Sequence, residues 1–356
     1  MNTAIPAGFS LFEQDLRAIC QQTEDVQHDF VNGNIFVTGA SGFFGIWLVE
    51  SLLWMSREQK LNLTVTVLLR DAAKFFARYP HLQGNDSLYW VEGDLNDFEF
   101  PKRAISHIIH AASVPNLGGR DDWASEHVCA GVIGMNRILQ LAIEKKIRSL
   151  LITSSGGVYT SVLECRGERG FVEEVDSMSA LISEKIVYGQ TKRMMEIMSA
   201  AEAKKHGFRV AIARCFAFIG PYLPMDANYA IGNFIRDARA KKDIVIGGDG
   251  TPLRSYLYAA DLATALIKML VRARSGVPYN IAGAEVLSIK ELAALVAKCH
   301  GVSADSIKIM TPAVPGAEVN KYLADIEKAS QEGLLSNATS LADAIVRTSQ
   351  WLDIKV

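Results

Sequence analysis

The sequence has no long apolar run: Ile108–Val114 and Leu150–Ile152 are typical of what it offers. A membrane-spanning helix needs about 18–20 such residues, so none is expected. No basic stretch leads into an apolar one at the N-terminus, so no signal peptide is expected. Neither sign of charge dominates: 37 Lys and Arg against 39 Asp and Glu leave a net −2. Without a basic excess there is nothing to offset the phosphates of a nucleic acid. The cysteines Cys20, Cys129, Cys165, Cys215 and Cys299 are odd in number and contain no CxxC pair. They read as reduced, buried thiols of a cytoplasmic protein. The seven histidines form no HExxH or comparable spacing, so no metal site is expected.

What is present is a chain of 356 residues, 49% apolar and 21% charged. That length allows two domains, or one large α/β unit with an attached lobe, and buries enough surface to fold without staples. The composition is far from that of a disordered chain. Residues 1–33 stand apart as an N-terminal helical extension. Ser10 and Glu13 fit a capping box, and Phe12, Leu16, Ile19 and Cys20 recur at helical spacing. A βαβ rhythm follows. Strands are expected at Ile35–Thr38, Leu63–Leu69, Tyr89–Val91, Ile105–His110, Leu150–Thr153 and Arg209–Ala213. Helices are expected at Phe44–Met55, Cys129–Lys145 and Val187–Lys205. Alternation of this kind predicts an α/β fold, a Rossmann-type doubly wound parallel sheet, over 34–216. After Gly220-Pro221 the rhythm loosens. Residues 217–254 and 284–356 read as a smaller C-terminal substrate-binding lobe, with 255–283 returning to the sheet domain.

Thr38-Gly39-Ala40-Ser41-Gly42-Phe43-Phe44-Gly45 follows the first strand and opens a helix. Gly39 permits a tight turn, Gly42 close approach of a pyrophosphate, and Gly45 close helix–sheet packing. Helix-start N–H groups then face the anion, which predicts a dinucleotide. The second strand ends Leu68-Leu69-Arg70-Asp71, so Leu69 stands where an acid would meet a ribose 2′-OH. Arg70 suits a 2′-phosphate, which tilts NAD(P) towards NADP(H), while Asp71 remains near enough to reach the ribose. Asp94-Leu95 is expected at the adenine edge. Ala111, Ala112 and Ser113, after the fourth strand, complete the expected cofactor wall.

Tyr188 and Lys192 form YxxxK, a spacing that puts both side chains on one helix face. A tyrosine titrates near 10 and is a poor base at neutral pH. A cation at about 4 Å supplies roughly the 4 kcal/mol needed to lower it by three units. Lys192 can therefore make Tyr188 a working acid/base, with Ser155 in Thr153-Ser154-Ser155-Gly156-Gly157-Val158-Tyr159 bonding the reacting oxygen.

TGASGFFG, TSSGGVY, YGQTK and RSYLYAAD occur in the order found in extended short-chain dehydrogenase/reductases. Over roughly 34–356 the chain resembles the NAD-dependent epimerase/dehydratase group acting on nucleotide-diphosphate sugars. The resemblance implies a Ser155-Tyr188-Lys192 triad, with Asn233 and Arg254 in the substrate lobe and Arg254 on the sugar-nucleotide diphosphate. A guanidinium suits that role because it binds bidentately and stays charged. Lys321–Ala329, with Asp325 and Lys328, resembles the group's C-terminal DxxKA element and reads as structural. The resemblance also implies a homodimer formed through the helices near Cys129–Lys145 and Tyr188–Lys205.

The chain departs from that pattern in ways that narrow the chemistry. The 4,6-dehydratases carry an Asp-Glu pair where this chain has Gly156-Gly157, which transfer no protons. Ala217 replaces a sugar-binding Asn in an apolar loop, and Gly131 stands where the group often has Asn. Hydride transfer at sugar C4, by a 4-ketoreductase or a 4-epimerase, fits these residues best. A dehydratase, or a carbonyl reductase resembling the dihydroflavonol reductases, is the alternative.

Overall fold

The computed structural model describes residues 4–113, 123–159, 170–174, 184–226, 229–336 and 338–355. After α1 (Glu13–Gln22), strand and helix alternate: β1 (Asn34–Thr38), α2 (Phe43–Glu58), β2 (Thr64–Leu69), α3 (Ala72–Arg78), β3 (Leu88–Glu92), β4 (His107–His110), α4 (Trp123–Lys145), β5 (Ser149–Ser155), α5 (Glu184–His206) and β6 (Arg209–Cys215). Shorter elements follow: β7 (Phe218–Ile219), α6 (Ala230–Arg239), β8 (Ile244–Ile246), β9 (Leu253–Ser255), β10 (Leu257–Tyr258), α7 (Ala259–Arg272), β11 (Pro278–Ile281), β12 (Val286–Ser288), α8 (Ile289–Cys299), β13 (Ile307–Ile309), β14 (Lys321–Tyr322), α9 (Glu327–Gln331) and α10 (Leu341–Lys355).

Among the described residues, seven strands join in the order β11-β6-β5-β4-β1-β2-β3, each neighbouring pair parallel. This is the doubly wound Rossmann-type sheet. β1, β4 and β5 are buried along their whole length because helices cover both faces, which is why they read as continuous apolar runs. The order reverses between β1 and β4, and the carboxyl ends of the strands open there, where α/β sheets bind ligands. Beyond β6, α7 packs back on α2 and the sheet, and β11 pairs with β6. A second small sheet, β12-β9-β14, lies in the C-terminal part of the chain.

The N-terminal segment packs on α2 and α7 through the expected stripe, with Phe12, Leu16, Ile19 and Cys20 all buried. Its capping box does not form: Phe12 is the N-cap, and no side chain caps the helix. Ser10 instead gives its hydroxyl and its N–H to Glu50 of α2, a fully buried carboxylate that also accepts from Leu11 N–H and meets His81 Nε2 at 2.9 Å. A buried carboxylate is costly unless bonded, and this one outcompeted the local cap. Asp15 of α1, also fully buried, accepts from Tyr258 of β10 at 2.7 Å and pairs with Arg347 of α10. The segment therefore bolts α2, β10 and α10 together. Of the cysteines, Cys20 and Cys215 are buried and Cys299 is half-buried, but Cys129 is exposed, contrary to expectation; Cys165 lies outside the described residues. Cys129 falls on the outer face of α4, which the sheet does not cover.

Candidate active site

The glycine loop turns between β1 and α2. Gly39 has φ +74°, and a Cβ there would stand 2.6 Å from the Ala111 carbonyl oxygen. A Cβ on Gly45 would stand 2.1 Å from the Gly39 carbonyl oxygen, so the loop closes only because neither residue carries one. Gly42 is the N-cap of α2, and Ile46 N–H makes the first helical bond back to it. The N–H groups of Phe43, Phe44 and Gly45 are left as helix-start donors. Ser41, exposed at the loop tip, has its carbonyl held by Tyr79 Oη at 3.0 Å and Arg78 Nη1 at 3.3 Å. This cradle fits a dinucleotide pyrophosphate.

At the end of β2, Arg70 is exposed and makes no hydrogen bond or ion pair among the described residues. Asp71 caps α3, accepting from Lys74 N–H at 2.8 Å, and pairs with the Lys74 ammonium at 3.2 Å. Glu92 of β3, the register partner of Leu69, accepts from Ala72 N–H at 3.4 Å. Asp94 is exposed and closes a local turn with Asn96 N–H. Leu95 lines a cavity of about 20 Å³ together with His110, Ala112, Ser113, His127 and Lys192. This cavity brings the β3, β4 and α5 candidates to one place. A cavity of about 730 Å³ between the Asp249–Thr251 loop and the Ile309–Ala313 segment contains none of them.

Ser155 ends β5, with its Oγ accepting the Gly157 N–H at 3.0 Å. Tyr188 and Lys192 share one face of α5. The Tyr188 ring edge and Ser155 Oγ both lie within 3.3 Å of the point a Gly157 Cβ would occupy, so the two side chains are neighbours. Lys192 is buried, donates to the Thr153 carbonyl at 3.0 Å and stands 5.9 Å from the Tyr188 ring centroid. α5 reaches this position because α4 and α5 cross closely: a Cβ on Gly131 would sit 2.5 Å from the Thr191 methyl. That contact explains a glycine at Gly131.

Two histidines that the sequence did not single out complete the wall. His110 Nδ1 shares a 2.8 Å bond with Thr38 Oγ1, and burial plus the Lys192 charge hold its pKa down to about 3. His127 lies 5.3 Å from the Tyr188 ring centroid, and burial, then Lys192, lower its pKa. Both are neutral at pH 7. Neither carried a sequence signal, because each reaches the site by a contact far apart in the chain.

Beneath the site, Arg214 of β6 is 1% exposed and forms a two-point pair with Glu196 of α5, at 3.0 and 2.9 Å. It also donates to Tyr159 Oη and the Glu173 carbonyl. Ser154 donates to the same Glu196 carboxylate.

Arg254 of β9 is half-buried. It donates to the Leu253 and Asn320 carbonyls, lies 5.9 Å from the Tyr322 ring and has no carboxylate partner among the described residues. Burial lowers its pKa. Asn233 sits apart on α6, where its side-chain oxygen accepts from Arg236. Lys328 pairs with Glu173 and Glu174, and Asp325 accepts from Glu327 N–H, so that pair braces the lobe away from the site. Tyr322, in the same stretch, was missed: its hydroxyl stands 2.6 Å from the point where a Gly156 Cβ would lie, next to Ser155.

A doubly wound sheet with this glycine cradle defines a dinucleotide-binding oxidoreductase fold. The sequence profile of the NAD dependent epimerase/dehydratase family matches residues 35–282, and the chain belongs to that family, enzymes of the extended short-chain dehydrogenase/reductase type. It is similar to a dTDP-glucose 4,6-dehydratase of Streptomyces niveus, 25% identical over 89% of this chain and 92% of the relative. It is also similar to a UDP-glucuronate 4-epimerase of Thermodesulfobacterium geofontis, 23% identical over 90% of this chain and 96% of the relative. The crystal structure of the UDP-glucuronic acid 4-epimerase from Bacillus cereus in complex with NAD superposes with a TM-score of 0.73, at 24% identity, covering 90% of this chain and 99% of the other. No helix among the described residues is long and apolar enough to cross a membrane.

Proposed function

We propose that this enzyme carries out hydride transfer at C4 of a nucleotide-diphosphate sugar, without eliminating water. The observation that carries the reading is the convergence of Ser155, Tyr188 and Lys192 at the carboxyl edge of the sheet, beside the glycine cradle. Gly39, Ser41, Gly42, Phe43, Phe44 and Gly45 hold the pyrophosphate, Asp94 and Leu95 border the adenine, and Ala111, Ala112 and Ser113 line the path between. When bound, the nicotinamide cofactor supplies the hydride chemistry.

Tyr188 gives or takes the proton of the C4 oxygen, and Ser155 donates a hydrogen bond to that oxygen. Lys192, anchored on the Thr153 carbonyl, contributes a fixed positive charge beside Tyr188. Arg254 takes the sugar diphosphate: a half-buried guanidinium with no carboxylate partner among the described residues is prepared for an anionic ligand. Asn233 belongs to the substrate lobe. Gly156 and Gly157 offer no acid or base for elimination.

Arg70, exposed and without a partner among the described residues, favours NADP(H) and a 4-ketoreductase, in which hydride is delivered once. The relatives named 4-epimerases, one crystallised with NAD, favour a 4-epimerase with retained cofactor. The protein works in the cytoplasm as a homodimer. Val128 and Ile133 of α4 and Met194 and Ile197 of α5, 40–53% exposed, form the apolar surface for that pairing.

The test is direct. Mass analysis of the denatured protein reads out bound dinucleotide: stoichiometric NAD supports the epimerase, and an empty site that accepts NADPH supports the reductase. A thermal-shift panel of UDP-, dTDP-, GDP- and CDP-glucose then identifies the nucleotide by stabilisation through mass action. With the sugar so selected, Tyr188→Phe should lower turnover by about 10²–10⁴-fold with cofactor binding retained. Unchanged turnover removes the triad. Arg254→Ala should raise KM with kcat little altered.

A further inference from the structure

We infer that Tyr79 is a positioning residue for the pyrophosphate cradle, and that the N-terminal extension holds Tyr79 in place through Ser10 and Tyr222. Tyr79 follows α3 and is fully buried, and its hydroxyl donates to the Ser41 carbonyl at 3.0 Å. Arg78 Nη1 donates to the same oxygen at 3.3 Å, so both of its lone pairs are taken. The peptide that carries this carbonyl also carries the Gly42 N–H, which donates to the Gly39 carbonyl at 3.0 Å. In a trans peptide the two groups point in opposite directions, so this unit is held from both sides. Held this way, the Ser41 carbonyl cannot turn its negative oxygen towards a pyrophosphate, and the Phe43, Phe44 and Gly45 N–H groups stay aligned at the helix start. Burial pushes the Tyr79 phenol up to about 12, which keeps its hydroxyl a donor.

The N-terminal extension reaches Tyr79 through aromatic contacts. The Tyr79 ring meets Tyr222 edge-on at 5.4 Å and His81 at 6.2 Å between centroids. Tyr222 donates its hydroxyl to Ser10 Oγ at 2.7 Å, and its ring lies 4.5 Å from that of Trp351 on α10. Its backbone has φ +72°, a left-handed conformation that a bulky residue rarely adopts. Such a conformation persists only where the surroundings over-determine it, and here two ring contacts and one hydrogen bond do so. Ser10 donates its own hydroxyl proton to Glu50, and its carbonyl accepts from Trp351 Nε1–H at 2.9 Å. His81 meets the same Glu50 carboxylate, which closes the circuit back to Tyr79. Ser10 lies outside residues 35–282, the stretch that the family profile matches, so this hold on the cradle is supplied from beyond it.

The inference rests on the reading of residues 39–45 as the cradle, and the experiment separates the two. Calorimetric titration of the full-length protein measures Kd for ADP and NAD, which carry a pyrophosphate. Ligand-observed NMR measures Kd for adenosine, which carries none. Tyr79→Phe keeps the ring and removes one hydrogen bond, so it should raise Kd for ADP and NAD about 3–10-fold and leave adenosine unchanged. Ser10→Ala and Tyr222→Phe should each raise Kd for ADP by a smaller factor, and neither should add to Tyr79→Phe. Urea unfolding checks that each variant is folded under the titration conditions. An unmoved Kd for ADP in folded Tyr79→Phe, or an equal loss for adenosine, overturns the role of Tyr79. An unmoved Kd in both Ser10→Ala and Tyr222→Phe, or their full further loss on top of Tyr79→Phe, overturns the hold from the N-terminal extension. If Gly45→Ala retains ADP affinity, the cradle reading itself fails. If Gly45→Ala abolishes it and Tyr79→Phe changes nothing, only the role of Tyr79 fails.

Discussion

Replacing Arg214 by Met tests how α5 is held. Arg214 is 1% exposed and Glu196 3%, so both charges have left water and depend on each other. At the observed 2.9 Å and an effective dielectric near 20, the attraction is about 6 kcal/mol before desolvation is subtracted. Removing one partner of a buried pair typically destabilises by about 3–5 kcal/mol, because the other charge is left unmatched. Arg214→Met should fall towards the lower end, since Ser154 and Arg193 stay within reach of the Glu196 carboxylate. Glu196→Leu leaves Arg214 buried with only neutral acceptors, Tyr159 Oη and the Glu173 carbonyl, and should be at least as damaging. The double variant should be more stable than the sum of the two losses, with a coupling of about 2 kcal/mol. Urea unfolding followed by tryptophan fluorescence and circular dichroism gives the midpoints and slopes, and coincident curves justify a two-state treatment. Single losses below about 1 kcal/mol, or strict additivity, would refute the reasoning. Turnover should fall as well, although neither side chain touches substrate, because Glu196 lies one helical turn after Lys192.

Gly45→Ala places a methyl 2.1 Å from a backbone carbonyl oxygen; it should abolish calorimetric binding of both NAD and NADPH, and retained affinity would show that the loop is not the cradle. Burial holds His107 down to about 4 and His110 to about 3, the nearby cations assisting. The unfolded chain takes up those protons below about 6.5 and the folded one does not, so their stabilisation is full above 6.5 and is lost as pH falls towards 3. The urea midpoint should therefore drop between pH 7 and 4, and His110→Gln should flatten that drop; a parallel pH profile in the variant contradicts it. Ile133→Asp with Ile197→Asp should convert a dimer to monomers in sedimentation equilibrium; an unaltered mass excludes the α4–α5 face as the interface.

The alternating rhythm from β1 to β6 was legible because buried parallel strands are unbroken apolar runs and the helices between them carry a period near 3.6. TGASGFFG was legible for a related reason: a turn, a close approach and a helix start all lie within eight residues. The cap that Asp71 makes on α3 was not read, since an acid two residues past a strand serves a ribose or a helix cap equally well until α3 is in place. Ser10 and Glu13 show the same ambiguity resolved by a distant carboxylate, Glu50.

The sequence by itself thus determined the sheet, the phosphate loop and the YxxxK pair, whose geometry is set over short spans by backbone period and glycine freedom. Only the tertiary structure decided what surrounds Tyr188. It brought Tyr322 against Gly156, His110 and His127 to the wall, and Arg214 under α5. Such contacts join residues tens to more than a hundred positions apart, and burial and close packing, which no local pattern records, select them.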